Sequence, residues 1–180
     1  MTALRLLAAL FLSSALALSG CSSKKYVPPT PPVPVTTVYL VRHAEKDNAS
    51  NPADPTLSVA GEARAQELSK VLAGTTPAAL FTTDFKRTRA TLAPLAAATG
   101  VVPQLYDALQ PVTLAALIRT QYAGRTVVVV GHSNTLLPQI EALGVARPVA
   151  DIAESEYNYL FKVSMADGAA PAVTVSKYGQ

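Results

Sequence analysis

Val38-Tyr39-Leu40-Val41-Arg42-His43-Ala44-Glu45-Lys46 decides how the chain folds. Four apolar residues, mostly β-branched or aromatic, read as a strand buried on both faces of a parallel sheet. Arg42-His43 then ends the run. In open α/β sheets, ligands sit beyond the carboxyl ends of the strands. A guanidinium beside an imidazole at that point suits an anion. The chain has only two histidines, and His132 also follows an apolar run, Thr126 to Val130.

Outward from this stretch, strands and helices alternate. Leu57, Ala60, Arg64, Leu68, Val71 and Leu72 recur at helical spacing and predict a helix over 57–72, with Ser58 as N-cap and Gly74 as stop. A strand follows over 78–82, then a helix over 86–99 with Pro94 predicting a bend and Gly100 ending it. A third strand is expected over 101–105, a helix over 111–122 stopped by Gly124, and the Val-rich strand over 126–130. A short helix over 136–143 closes on Gly144. Two last strands, 158–165 and 172–176, flank the turn Asp167-Gly168. This alternation implies an α/β fold, a three-layer sandwich around a mainly parallel sheet, with the domain spanning 37–180.

Composition narrows the function classes. With 49% hydrophobic residues in 180, the chain can bury the core of one domain. A net charge of +3 is too slight to suggest nucleic acid and compatible with a small anionic substrate. Cys21 is the one cysteine, so neither an internal disulfide nor a cysteine metal site can form. Residues 1–20 read as a signal peptide: Arg5 precedes an apolar run, Leu6 to Leu18, that is short for a membrane span. Leu18-Ser19-Gly20-Cys21 resembles the lipobox of bacterial lipoproteins. That resemblance implies cleavage before Cys21, lipid on its sulfur and firm anchoring by several acyl chains. Ser22 in place of Asp implies the outer membrane, with the protein facing the periplasm. Residues 21–36 carry a proline-dense segment that predicts an extended spacer.

Three further segments are candidates to join Arg42-His43. Thr82-Thr83-Asp84-Phe85-Lys86-Arg87-Thr88-Arg89-Ala90-Thr91 places cations in the first turn of a helix. Helix starts favour anions, and an arginine fork matches phosphate oxygens. Gly131-His132-Ser133-Asn134 again joins a strand to a helix start, and Asp107 lies just beyond the third strand.

With these residues in view, Val41 to Lys46 resembles the Arg-His signature of the histidine phosphatase superfamily, whose fold is phosphoglycerate mutase-like. Gly131-His132-Ser133-Asn134-Thr135 resembles its second histidine motif. Arg87, with Thr91 four positions on, resembles its intermediate motif, and Leu57-Ser58 with Gly61 its first-helix opening. The resemblance implies that His43 is a nucleophile forming a phosphohistidine. It implies that Arg42, Arg87 and His132 surround the transferring phosphoryl group, that Asn134 donates to a phosphate oxygen, and that arginines stand in for a metal. Expected are a small phosphorylated substrate and no cofactor, metal or nucleic acid. Asp107 is the candidate general acid. The family's longer acidic motif and lid are missing, which keeps two alternatives open: a protein phosphohistidine phosphatase, and a non-catalytic binder of phosphate esters. A metal site on His43, His132 and a carboxylate is disfavoured, because Arg42 repels a cation. Glu45 and Lys46 read as a local pair or as solvated, Arg89 as solvated, and Glu154 to Tyr159 as structural.

Overall fold

A computed structural model describes residues 33–179. The signal segment, Cys21 and the spacer up to residue 32 lie outside the described residues. The chain runs β1 Val35–Arg42, α1 Val59–Val71, β2 Pro77–Thr82, α2 Lys86–Thr99, β3 Gln104–Leu105, α3 Pro111–Gln121, β4 Thr126–Gly131, α4 Ser133–Ala142, β5 Tyr159–Ala166 and β6 Ala172–Lys177.

The six strands form one sheet in the order β3-β2-β4-β1-β5-β6. The β3-β2-β4-β1 pairings are parallel, and β5 and β6 add an antiparallel hairpin beside β1. The unbroken valine run of β4 reflects burial on both faces. Val127 and Val129 pack with Leu114, Ile118, Leu136 and Ile140 of α3 and α4. Val128 and Val130 pack on the other face with Leu68 of α1 and with Leu92 and Leu95 of α2. The three-layer, mainly parallel arrangement is therefore the one expected.

Several boundaries move, each for a physical reason. β1 takes in Val35 and Thr36, assigned above to the spacer. The third strand shrinks to two residues, since Pro103 has no N–H for a ladder and Val102 is exposed. Helix α1 buries Gly61, Arg64, Ala65 and Leu68, with Leu72 just beyond it, rather than Ala60 and Val71, so the apolar stripe is rotated by one residue. Gly61 sets that rotation: a Cβ there would stand 2.2 Å from the Glu45 carbonyl oxygen. Ser58 does cap α1, accepting from Gly61 N–H at 3.2 Å. Helix α2 continues through Pro94. Helix α4 begins at Ser133, not 136. Its polar first turn tolerates Ser-Asn-Thr because early helical N–H groups have no intrahelical partner, and Thr135 Oγ1 accepts from His132 N–H at 3.2 Å.

Candidate active site

β1 and β4 are parallel neighbours in a register that pairs Arg42 with Gly131. His43 N–H then donates to the Gly131 carbonyl at 2.9 Å. One register thus brings the two histidines together, with ring centroids 5.4 Å apart. They open into a cavity of about 520 Å³ lined by Arg42, His43, Arg87, Asp107, His132 and Asn134, every catalytic or phosphate-binding candidate named from sequence. The cavity sits beyond the carboxyl ends of β1, β2 and β4, where the first turns of α2, holding Arg87, and of α4, holding Ser133, add favourable dipoles for an anion.

His43 is buried, and its Nδ1 lies 2.8 Å from the Ala44 carbonyl oxygen. A carbonyl only accepts, so Nδ1 carries the proton and Nε2 keeps its lone pair. The Ala44 backbone is itself fixed, its N–H donating to Thr91 Oγ1 at 2.9 Å while that hydroxyl donates to the Arg87 carbonyl at 2.7 Å. Thr91 of the arginine motif therefore ties α2 to the histidine loop. Burial, helped by the charges of Arg42, Arg87 and His132, lowers the His43 pKa to about 3 against the opposing pull of the Ala44 carbonyl. The ring is neutral and nucleophilic across the physiological range.

His132 is held differently. Its Nε2 lies 3.0 Å from Thr83 Oγ1, which lies 2.9 Å from Thr88 Oγ1. Thr88 Oγ1 is also 2.8 Å from the Phe85 carbonyl and 3.0 Å from the Thr83 carbonyl. Its single proton must go to a carbonyl, so it accepts from the Thr83 hydroxyl. Thr83 then has no proton left and accepts from His132 Nε2–H. His132 is thus protonated on Nε2, where His43 keeps a lone pair, and that proton is given to Thr83. Burial first, then the charges of Arg87 and Arg42, lower its pKa to about 4.

Arg42 is only 2% exposed. Its Nη1 donates to the carbonyls of Ala153, Glu154 and Glu156 at 2.8, 2.9 and 3.2 Å. Its Nη2 meets Glu154 Oε2 at 2.9 Å, and its guanidinium lies 4.2 Å from the centre of the Tyr157 ring. Nε is buried with no partner among the described residues, a donor suited to an anion's oxygen. Arg87 stacks 4.2 Å over Phe85 and lies 4.0 Å from Asp54. Asp54 also accepts from Lys86 N–H at 3.0 Å, capping α2 from a distant loop because Phe85 offers no side-chain cap.

Asp107 is exposed on the cavity wall, and its carboxylate accepts from Leu109 N–H at 2.9 Å. Asn134 is exposed at the start of α4. Arg89 pairs with Asp84 at the surface. Glu45 does not pair with Lys46: it binds the buried Arg64 at 2.7 Å, while Lys46 lines the cavity. The 153–157 segment is structural in gripping Arg42, yet it also sends Glu154 to the cavity wall. Sequence reasoning missed Glu154, Tyr157 and the Thr83 relay. Only Thr83 carried a signal, its place directly after β2.

Residues 38–116 match the histidine phosphatase superfamily (branch 1), a span that holds Arg42, His43, Arg87 and Asp107 and stops short of His132. No curated protein matches the sequence. Among solved structures, mycobacterial hydrolase 1 is similar with a TM-score of 0.65 at 15% identity, covering 81% of this chain and 100% of its own. The mycobacterial glucosyl-3-phosphoglycerate phosphatase is similar with a TM-score of 0.62 at 16% identity, covering 81% and 100%. The protein histidine phosphatase SixA, complexed with tungstate, is similar with a TM-score of 0.62 at 15% identity, covering 78% and 96%. The fold is the phosphoglycerate mutase-like fold, and the family match is the one its two histidine motifs resemble.

Proposed function

From this match to the histidine phosphatase superfamily, whose fold the chain shares, we propose that the protein is a metal-independent phosphatase that hydrolyses phosphomonoesters through a phosphohistidine on His43. The observation that carries the reading is the pair of opposed histidine tautomers, 5.4 Å apart in a cavity with Arg42 and Arg87. His43 Nε2 attacks phosphorus as the bond to the leaving oxygen breaks. Phosphoryl transfer asks mainly for positioning and charge stabilisation, which Arg42 and Arg87 supply, with His132 packed beside His43 and Asn134 at the rim. Asp107 is the carboxyl placed to protonate the leaving oxygen. Water then cleaves the phosphorus–nitrogen bond, releasing phosphate and neutral His43. Two guanidiniums take the role a metal ion fills elsewhere.

Asp107 is exposed and its carboxylate is turned to the Leu109 N–H, and a reading that asks little of an acid is the second one the site supports. A phosphorylated protein histidine leaves as an imidazole and needs little acid help. The lipid anchor proposed on Cys21 would place the protein outside the cytoplasm, which favours small phosphomonoesters over such proteins.

The purified protein is expected to hydrolyse an aryl phosphate in the presence of a chelator, and labelled phosphate should be trapped as an alkali-stable, acid-labile adduct on His43. Activity lost with chelator and restored by a divalent ion would assign the charge stabilisation to a metal. Binding of phosphate esters without turnover would leave a binding protein. Asp107→Asn should slow esters with poor leaving groups by about tenfold and leave aryl esters nearly unchanged. Equal effects on both would remove Asp107 from the mechanism.

A further inference from the structure

Among the described residues, Glu154 is the one acidic side chain on the cavity wall whose carboxylate contacts an arginine of the phosphate pocket. We propose that Glu154 is a specificity-determining residue. Fixed between Arg42 and Ser133, its carboxylate selects against phosphate esters that carry a second anionic group near the scissile phosphorus. The proposal rests on the phosphatase reading above and deepens it to a substrate class: monophosphates whose leaving group is neutral or cationic.

The contacts leave the carboxylate little freedom. Oε2 accepts from Arg42 Nη2 at 2.9 Å and Oε1 accepts from the Ser133 hydroxyl at 2.8 Å. The same residue's backbone carbonyl takes Arg42 Nη1 at 2.9 Å, so the side chain cannot leave the wall without parting from a guanidinium that its own backbone holds. The side chain is nonetheless 73% exposed, so its charge faces the solvent-filled cavity. The Ser133 hydroxyl and the charges of Arg42 and Lys46 hold its pKa below the usual carboxylate range, so it stays ionised.

The consequence for Arg42 is chemical. Three carbonyls occupy Nη1 and a carboxylate takes one N–H of Nη2, so the second N–H of Nη2 and the buried Nε are the donors left for the phosphoryl group. Glu154 offsets part of the Arg42 charge at the wall while Arg87 and Arg42 Nε still hold one phosphoryl group. Around the mouth, Asp84 is neutralised by Arg89, and Asp54 stands beside Arg87. Beyond the arginines of the phosphate pocket, Lys46 is the cation that Asp107 and Glu154 share on the cavity wall among the described residues. A phosphate ester with one further carboxylate or phosphate meets repulsion there, whereas an amide, a hydroxyl or an ammonium does not.

The test compares 4-carbamoylphenyl phosphate with 4-carboxyphenyl phosphate, near-isosteres that differ by one charge. The purified protein should show a kcat/KM about tenfold higher for the carbamoyl ester at low salt. Glu154→Gln keeps the shape without the charge, its oxygen accepting from Arg42 and its amide N–H donating to the Ser133 oxygen, and should bring the two values within about twofold. Glu154→Asp should restore a preference. A merely structural Glu154 would lower both esters alike and leave the ratio untouched. An unchanged ratio in Glu154→Gln, or a wild-type protein that treats the two esters equally, overturns the proposal. If neither ester is turned over, the phosphatase reading fails separately. Calorimetric dissociation constants for the same two esters, with and without Glu154→Gln, then decide the proposal by the same ratio.

Discussion

The loops after β1 and β4 carry the same side chain to the same cavity and prepare it in opposite ways. At His43 the partner is a backbone carbonyl, which fixes the proton on Nδ1 and exposes a lone pair. At His132 it is a threonine hydroxyl whose own proton is already committed to Thr88, which fixes the proton on Nε2. One imidazole is thereby free to act as a nucleophile, and the other is a donor tied to Thr83. Proximity alone would not distinguish them, since both are largely buried and both have lowered pKa values. The lesson is that the second partner of a histidine decides its chemistry.

Replacing each histidine in turn tests the contrast most severely. His43→Ala should lower kcat by about four orders of magnitude or more and abolish the trapped adduct, because the group that bonds phosphorus is gone. His132→Ala should cost about 10²–10³ and still form the adduct slowly. An adduct surviving in His43→Ala would reverse the two roles.

A next, smaller effect concerns acid stability. Both imidazoles are neutral when folded and have ordinary values near 6.5 when unfolded, so the unfolded chain binds more protons at low pH. Their contribution is fully present above about pH 6.5 and is lost as pH falls through that value toward 4 and 3. Denaturant midpoints should therefore drop between pH 7 and pH 4.5, equivalent to a loss on the order of a few kcal/mol. His43→Gln and His132→Gln should each flatten that slope by a similar amount, because both folded values lie below the window. Equal slopes in all three proteins would contradict the burial of these rings.

The finest probe is Thr83→Val, which removes the acceptor from His132 Nε2–H and leaves His43 alone. Turnover should fall about tenfold. The nitrogen NMR spectrum should show mixed His132 tautomers beside an unchanged His43. A single unchanged His132 tautomer would mean that the threonine relay does not set it.

Much of this site was legible in the chain itself. The runs before His43 and before His132 are so uniformly apolar that burial on both faces of a sheet is their economical solution. A parallel sheet then delivers both carboxyl ends to one edge. Arg87 was legible because it opens a helix, where the register of Thr91 is local. The third strand was over-read, since valines at 101 and 102 carry strand propensity while Pro103 and an exposed edge limit pairing to two residues. The stripe on α1 was off by one because the choice rests on a close approach between Gly61 and Glu45 that spacing does not encode.

The sequence by itself determined the alternation of strands and helices, and which residues end the strands, because those follow from patterns a few residues long. Only the tertiary structure decided that Glu154, 112 positions from Arg42, would hold that arginine, and that two identical imidazoles would carry their protons on different nitrogens. Those outcomes depend on which donor or acceptor, neighbouring or distant in sequence, the packed chain sets within about 3 Å, and hydrogen-bond geometry at that range is a property of the assembled fold.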